Sequence, residues 1–227
     1  MKKLKILIVV FETEFQTWEI PALRGAIVDK VGRSNTLFHN HLNEGFLYKY
    51  PLIQYKAINK RPAIVCLDLG VDEIHKYFEQ KDWSVLIGHK QLEMKIHSLN
   101  LNQFSMQVWS HKFIYSIHNW LALNQENIKK YNALESLSQK LAMLEKIMIA
   151  NIISFAKGIK WDIDKTIELN IRNIVDVHPV SFKGQKILSF NLAFSTNVYL
   201  PDYIGLGKSA SLGYGVIKEK KEGNHGK

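Results

Sequence analysis

The sequence predicts an α+β protein built as two ferredoxin-like (βαββαβ) domains in tandem. Three observations carry that reading. The first half runs strand, helix, strand, strand, helix, strand; the second half repeats the order loosely; and a long hairpin of alternating apolar residues lies near the C-terminus. The chain has 227 residues, 46% of them apolar, which suits one large domain or two small ones with packed cores.

Leu4 to Phe11 is almost continuously apolar, the pattern of a strand covered on both faces. Pro21 stands as the first residue of a helix in which Leu23, Ile27 and Val31 recur every fourth position up to Gly32. Residues 46–58 and 63–67 read as strands joined by the turn Asn59-Lys-Arg-Pro62. A short helix follows over Val71 to Gln80, then a strand through Val85 to Ile87. Gln91 to Trp109 alternates as a further hairpin or bridging pair. In the second half Lys112 to Ile117 is the first strand. A helical tract comes next, with Leu134, Leu137, Leu141, Leu144, Met148, Ile152 and Phe155 on one stripe, ending before Gly158. Alternation through Ile167 to Val177 and Leu188 to Phe194 flanks Lys183-Gly184 as a hairpin, and Val216-Ile217 forms a last strand. The domain boundary falls near residues 100–110, giving domains 1–105 and 106–227.

The 30 Lys and Arg outnumber 21 Asp and Glu, a formal charge of +9, and such a surplus attracts nucleic acid or anionic lipid. No run of about 18 apolar residues occurs, so no membrane partner is expected. The start Met-Lys-Lys-Leu-Lys resembles a signal peptide only superficially, because Glu12 and Glu14 follow the short apolar stretch at once. The single cysteine, Cys66, forms no internal disulfide and fits a reducing cytoplasm.

Two motifs carry chemistry. Near the C-terminus Gly205, Gly207, Gly213 and Gly215 interleave with Lys208, Ser209, Ser211 and Tyr214. Glycines let backbone N–H groups approach a phosphate, and the lysine and hydroxyls favour a polyanion; a ligand-free strand connection is the plainer reading. Gly207-Lys208-Ser209 matches the end of a nucleotide P-loop, but Asp202 stands where its first glycine belongs. The second motif is His39-Asn40-His41, ahead of the turn Asn43-Glu44-Gly45. In extended chain, residues two apart share a side, and paired imidazoles supply acid–base catalysis near neutral pH. RNA cleavage needs that pair, with a cation such as Lys30 to steady the phosphorane. Metal ligation with Glu44 and ordinary surface histidines are the competing readings. Arg24, Lys30, Arg33, Lys49 and Lys56 cluster around the pair with Tyr48, Tyr50 and Tyr55 interleaved, a mixture suited to unpaired RNA.

Leu23-Arg-Gly-Ala26, Leu37-Phe-His-Asn-His41, Tyr50-Pro-Leu-Ile-Gln-Tyr-Lys56 and the terminal glycine loop together resemble the CRISPR repeat-processing endoribonucleases of the RAMP superfamily. The match is to the subgroup with an N-terminal His-x-His, and it spans nearly the whole chain. The resemblance implies two ferredoxin-like domains and a metal-independent, cofactor-free cut within each repeat, leaving a 2′,3′-cyclic phosphate and a 5′-hydroxyl. His39 and His41 would be the acid–base residues, assisted by Lys30 and Tyr48. Lys208, Ser209, Ser211, Tyr214 and the loop glycines, with Arg24, Arg33 and Lys56, would hold the RNA. CRISPR precursor RNA is the expected partner, with other effector-complex subunits and a homodimer left open. A non-catalytic RNA-binding subunit of the same superfamily is the alternative.

Overall fold

The computed structural model describes residues 2–39, 41–42, 45–46, 50–182 and 184–220. The chain divides into two units, one of residues 1–105 with 157–161 and 210–213, the other of residues 106–156, 162–209 and 214–227.

The first unit starts with β1 (Lys2–Phe11), whose inner positions are buried as its apolar run requires. Helix α1 (Ile20–Val31) has proline in its first turn and stops at Gly32, at φ +89°. A single turn, α2 (Thr36–His39), leads to the small hairpin β2 (His41–Leu42) and β3 (Gly45–Phe46). Strands β4 (Ile53–Ile58) and β5 (Arg61–Leu67) follow. Their turn needs only Asn59 and Lys60, both in the left-handed region, so Arg61 and Pro62 belong to the strand and not to the turn. Two short helices, α3 (Leu69–Glu73) and α4 (His75–Phe78), precede β6 (Val85–Ile87), β7 (Lys90–Leu92) and β8 (Ile96–Met106).

The main sheet runs β4-β5-β1-β8, the second-third-first-fourth order of a ferredoxin-like unit. Val85 to Ile87 is a strand, as its sequence predicts, but it pairs with β7 across Gly88-His89 outside the main sheet. The fourth sheet position belongs to β8. Leu23 and Ile27 from α1 pack with Val9, Phe11, Ile53, Tyr55, Ile64, Cys66 and Tyr77 in one apolar core.

The second unit contains β9 (Val108–Trp120), α5 (Gln125–Ala133), α6 (Leu137–Gly158, its last two residues counted with the first unit), β10 (Leu169–Phe182), β11 (Gln185–Val198) and β12 (Val216–Glu219). Its sheet, β10-β11-β9-β12, repeats the second-third-first-fourth order. Where a second helix would complete βαββαβ, residues 199–215 hold turns and a bridge from Gly205 to Val216. The helical stripe is divided in two. Leu134 is extended and ends α5, while Ser136 Oγ accepts from Gln139 N at 3.2 Å and Gln139 Oε1 accepts from Ser136 N at 3.3 Å. That capping box starts a fresh helix, and the buried stripe then runs Leu144, Met148, Ile152, Phe155. No helix among the described residues is long and apolar enough to cross a membrane.

Candidate functional site

His39 ends α2, half-buried, and hydrogen bonds hold it and the residue before it. The Arg33 carbonyl accepts from its Nε2 at 2.7 Å, which places the proton of the neutral ring on that nitrogen. The Tyr55 hydroxyl donates to the Phe38 carbonyl at 3.1 Å, and the Arg24 guanidinium donates to the carbonyl of His39 itself. A four-residue helix leaves its last carbonyls without partners of its own, and here two side chains supply them. His41 opens β2, its backbone opposite Phe46. The expectation that both imidazoles share a side assumes extended chain between 39 and 41; His39 instead closes a helical turn and His41 begins a strand, so that argument does not apply here. The side chain of His41, all of Tyr48, and the metal alternative through Glu44 lie outside the described residues.

The neighbouring cations are already engaged. Lys30, in the last turn of α1, donates to the Asp82 carbonyl at 2.5 Å and pairs with its carboxylate at 3.3 Å. Two hydrogen bonds from Ser84, with Lys30 adding to them, hold the Asp82 carboxyl below the usual range. Arg33 is 82% exposed and pairs with Asp29 through two 3.1 Å contacts. Arg24 is spent on His39, and desolvation lowers its pKa. Lys56 corrects the sequence reading outright. It is 1% exposed, so it does not face RNA; its Nζ donates at 2.6 Å to the carbonyl of Ala210 in the glycine-rich loop.

The glycines of that loop answer to packing first. Gly215 sits at φ +62°, where a Cβ would stand 1.9 Å from the Leu206 carbonyl oxygen, and its N–H donates to the Asn119 carbonyl at 3.0 Å. Gly207, at φ +85°, lies over the hydrogen bond from Trp120 Nε1 to Asn151 Oδ1, with room for no side chain. The expectation that these backbones are bare toward a phosphate is therefore corrected at Gly215, whose donor is used inside the fold. Gly205 and Gly213 are buried as well, and Ser209, Ser211 and Tyr214 are half-buried. Lys208 is exposed on a cleft of about 520 Å³ shared with Asn124, Gln125, Gln185 and Lys186. Asp202, which broke the P-loop pattern, accepts from the Glu219 backbone at 2.7 Å, and no helix follows Ser209.

Two sheet-based units in tandem are the fold of the CRISPR-associated Cas6 proteins. A crystal structure of Cas6b matches with a TM-score of 0.88 at 24% identity, over 96% of this chain and all (100%) of that one. The CRISPR RNA processing endoribonuclease Cas6b, also solved, gives a TM-score of 0.73 at 23% identity over 96% and 100% of the two chains. The Cas6b N-terminal domain matches residues 2–105 and the Cas6b C-terminal domain residues 107–220, so the chain belongs to the Cas6b family. It is also 31% identical over 106 residues to the uncharacterized protein MJ0978 of Methanocaldococcus jannaschii, covering 47% of this chain and 71% of that protein. The family named from sequence motifs is borne out.

Two outcomes follow from this geometry. Gly215→Ala adds a Cβ against a carbonyl and forces an alanine to positive φ, so it lowers unfolding free energy by at least about 2 kcal/mol in denaturant melts. Desolvation brings the Lys56 ammonium down to about 7 from 10.5. Between those values the unfolded chain holds more protons than the folded one, so this residue's contribution to stability rises with pH across the window and is lost as pH falls through about 7. The unfolding free energy of the wild type minus that of Lys56→Met increases from about pH 7 to about pH 10; a flat difference overturns the assignment.

Proposed function

We propose that the chain cuts CRISPR precursor RNA within its repeats, without a metal ion, to release guide RNAs ending in a 2′,3′-cyclic phosphate. Family membership supplies the substrate class, and the observation that carries the chemistry is His39, oriented by the 2.7 Å bond from its Nε2 to a backbone carbonyl. With Nε2 donating, Nδ1 is the basic atom of the neutral ring. One imidazole takes the proton of the 2′-hydroxyl as that oxygen attacks phosphorus. The P–O5′ bond breaks, and the second imidazole delivers a proton to the departing 5′-oxygen. His39 and His41 divide these roles, and Tyr48 assists. Lys30 steadies the charged phosphorane once a phosphate displaces Asp82. Lys208, Ser209 and Ser211 hold the RNA, and the protein works in the cytoplasm.

The engagement of Lys30 with Asp82 favours one second reading, a non-catalytic RNA-binding subunit. Labelled repeat RNA separates the two, since bound but uncut RNA supports the subunit.

His39→Ala with His41→Ala abolishes cleavage and leaves RNA affinity within about threefold, because the pair acts on the reacting atoms and adds little ground-state binding. Wild-type cleavage persists in excess EDTA, and mass analysis finds cyclic phosphate and 5′-hydroxyl ends. Cleavage lost to chelator and restored by a divalent ion overturns the mechanism. Lys208→Ala weakens binding to every repeat sequence alike and reduces the slope of log affinity against log salt by about 1; an unchanged slope removes Lys208 from the phosphate contacts.

A further inference from the structure

Lys56 is a buried amine whose role the cleavage chemistry leaves unassigned. It sits on β4 at 1% exposure, and its Nζ donates at 2.6 Å to Ala210 O, 154 residues further along the chain. A lysine so placed is costly, because desolvation opposes its charge and each unfilled donor in an apolar site adds to the penalty. An apolar residue of similar length would pack at that position without this cost.

The bond falls at a particular place. Residues 210–213 belong to the first unit and run beside β4, where Ser211 O accepts from Tyr55 N at 2.9 Å and Leu212 bridges Tyr55 in parallel. They meet the open edge of the sheet through that single bridge. A pairing that brief gains little from its own ladder, and short terminal pairings open readily. Tyr55 and Lys56 point to opposite faces of the sheet, so the backbone pairing and the Nζ bond clamp the segment by separate routes. Ala210, the residue that accepts the bond, is flanked directly by Ser209 and Ser211 and lies two positions from Lys208.

We infer that Lys56 is a positioning residue, a latch that fixes the glycine-rich loop against β4 so that Lys208, Ser209 and Ser211 stand ready for the RNA backbone. The functional half of this inference rests on the RNA reading given above; the latch itself does not. With the latch in place the loop is ordered before RNA arrives, and binding does not bear the cost of ordering it.

The experiment uses the full chain with Lys56→Met, which keeps the length and loses the donor. Hydrogen exchange in the absence of RNA reads the latch alone: the amides of residues 211–213 exchange about tenfold faster or more in the variant, while those of β1 and β5 keep their protection. Unchanged exchange at 211–213 overturns the latch. If Lys56→Met does not fold, Lys56→Leu, which also removes the donor, is measured in its place; protection retained at 211–213 overturns the latch equally.

Steady-state cleavage of repeat RNA then reads the functional half. KM rises about tenfold while kcat stays within about twofold, because the loop binds RNA and does not touch the scissile bond. A merely structural defect instead lowers the active fraction, and hence kcat, at constant KM, and that result overturns the positioning role. A double-mutant cycle sharpens it: Lys56→Met combined with Lys208→Ala costs less affinity than the two single effects added. Additive losses also count against positioning. Should the wild-type chain neither bind nor cut repeat RNA, the cleavage reading fails, and the exchange result still decides the latch.

Discussion

Two consecutive residues of β4 hold the parts of the first unit that bear on function. Tyr55 accommodates Ser211 through its backbone N–H and the Phe38 carbonyl through its hydroxyl; Lys56 takes the carbonyl of Ala210. One side chain thus fixes the residue before His39, and the next ties down a segment contributed from near the C-terminus. Both are buried, and a buried polar group left unpaired costs on the order of 1 to 3 kcal/mol, so these bonds define where the attached segments stand. Burial also raises the Tyr55 phenol far above its ordinary value, which keeps its proton in place as a donor at any physiological pH.

The edge of β4 explains the form of the glycine loop. An open strand edge offers unpaired backbone groups, and residues 210–213 meet that edge at Tyr55. Within the second unit, Gly207 and Gly215 occupy turn positions that no Cβ fits. A glycine-rich signature of this kind therefore encodes a path through the fold. The RNA contacts proposed above fall to the side chains between the glycines, of which Lys208 is exposed on its cleft and Ser209 and Ser211 are partly so.

Much of the architecture was legible in the sequence because it depends on local periodicity. The apolar run of β1, the proline and glycine that bound α1, the β10–β11 hairpin and the final strand all stand where patterning puts them. The failures share a cause. Val85 to Ile87 has strand chemistry, but nothing in a short apolar run says which strand it pairs with. The helical stripe concealed a break, although Ser136 and Gln139 already carried the capping-box signal. At the site, the His39–His41 geometry depended on one turn of helix too short to register as a period, and Lys56 looked like its basic neighbours in sequence. Its partner lies 154 residues away, so only the tertiary fold reveals that it points inward.

The basic residues of the first unit divide by how easily each is released. Surface ion pairs contribute about 0 to 1 kcal/mol, so a phosphate arriving at Arg33 displaces Asp29 at little cost. Lys30 is intermediate: its side chain is 22% exposed, and Asp82 offers it both a carbonyl and a carboxylate already stabilised by Ser84. Lys56 is beyond exchange, because freeing it would strand a buried amine, while Arg24 is half-buried and holds the His39 carbonyl. Of five cations close together in sequence, burial removes Lys56 and leaves Arg24, Lys30 and Arg33 as candidates for RNA, with Lys49 outside the described residues. The net charge of +9 draws a polyanion from a distance, but the contacts that select and orient it are set by which carboxylates yield. Asp82 is the decisive one for Lys30, whose ammonium becomes available to any other anion only when the Asp82 carbonyl and carboxylate are given up.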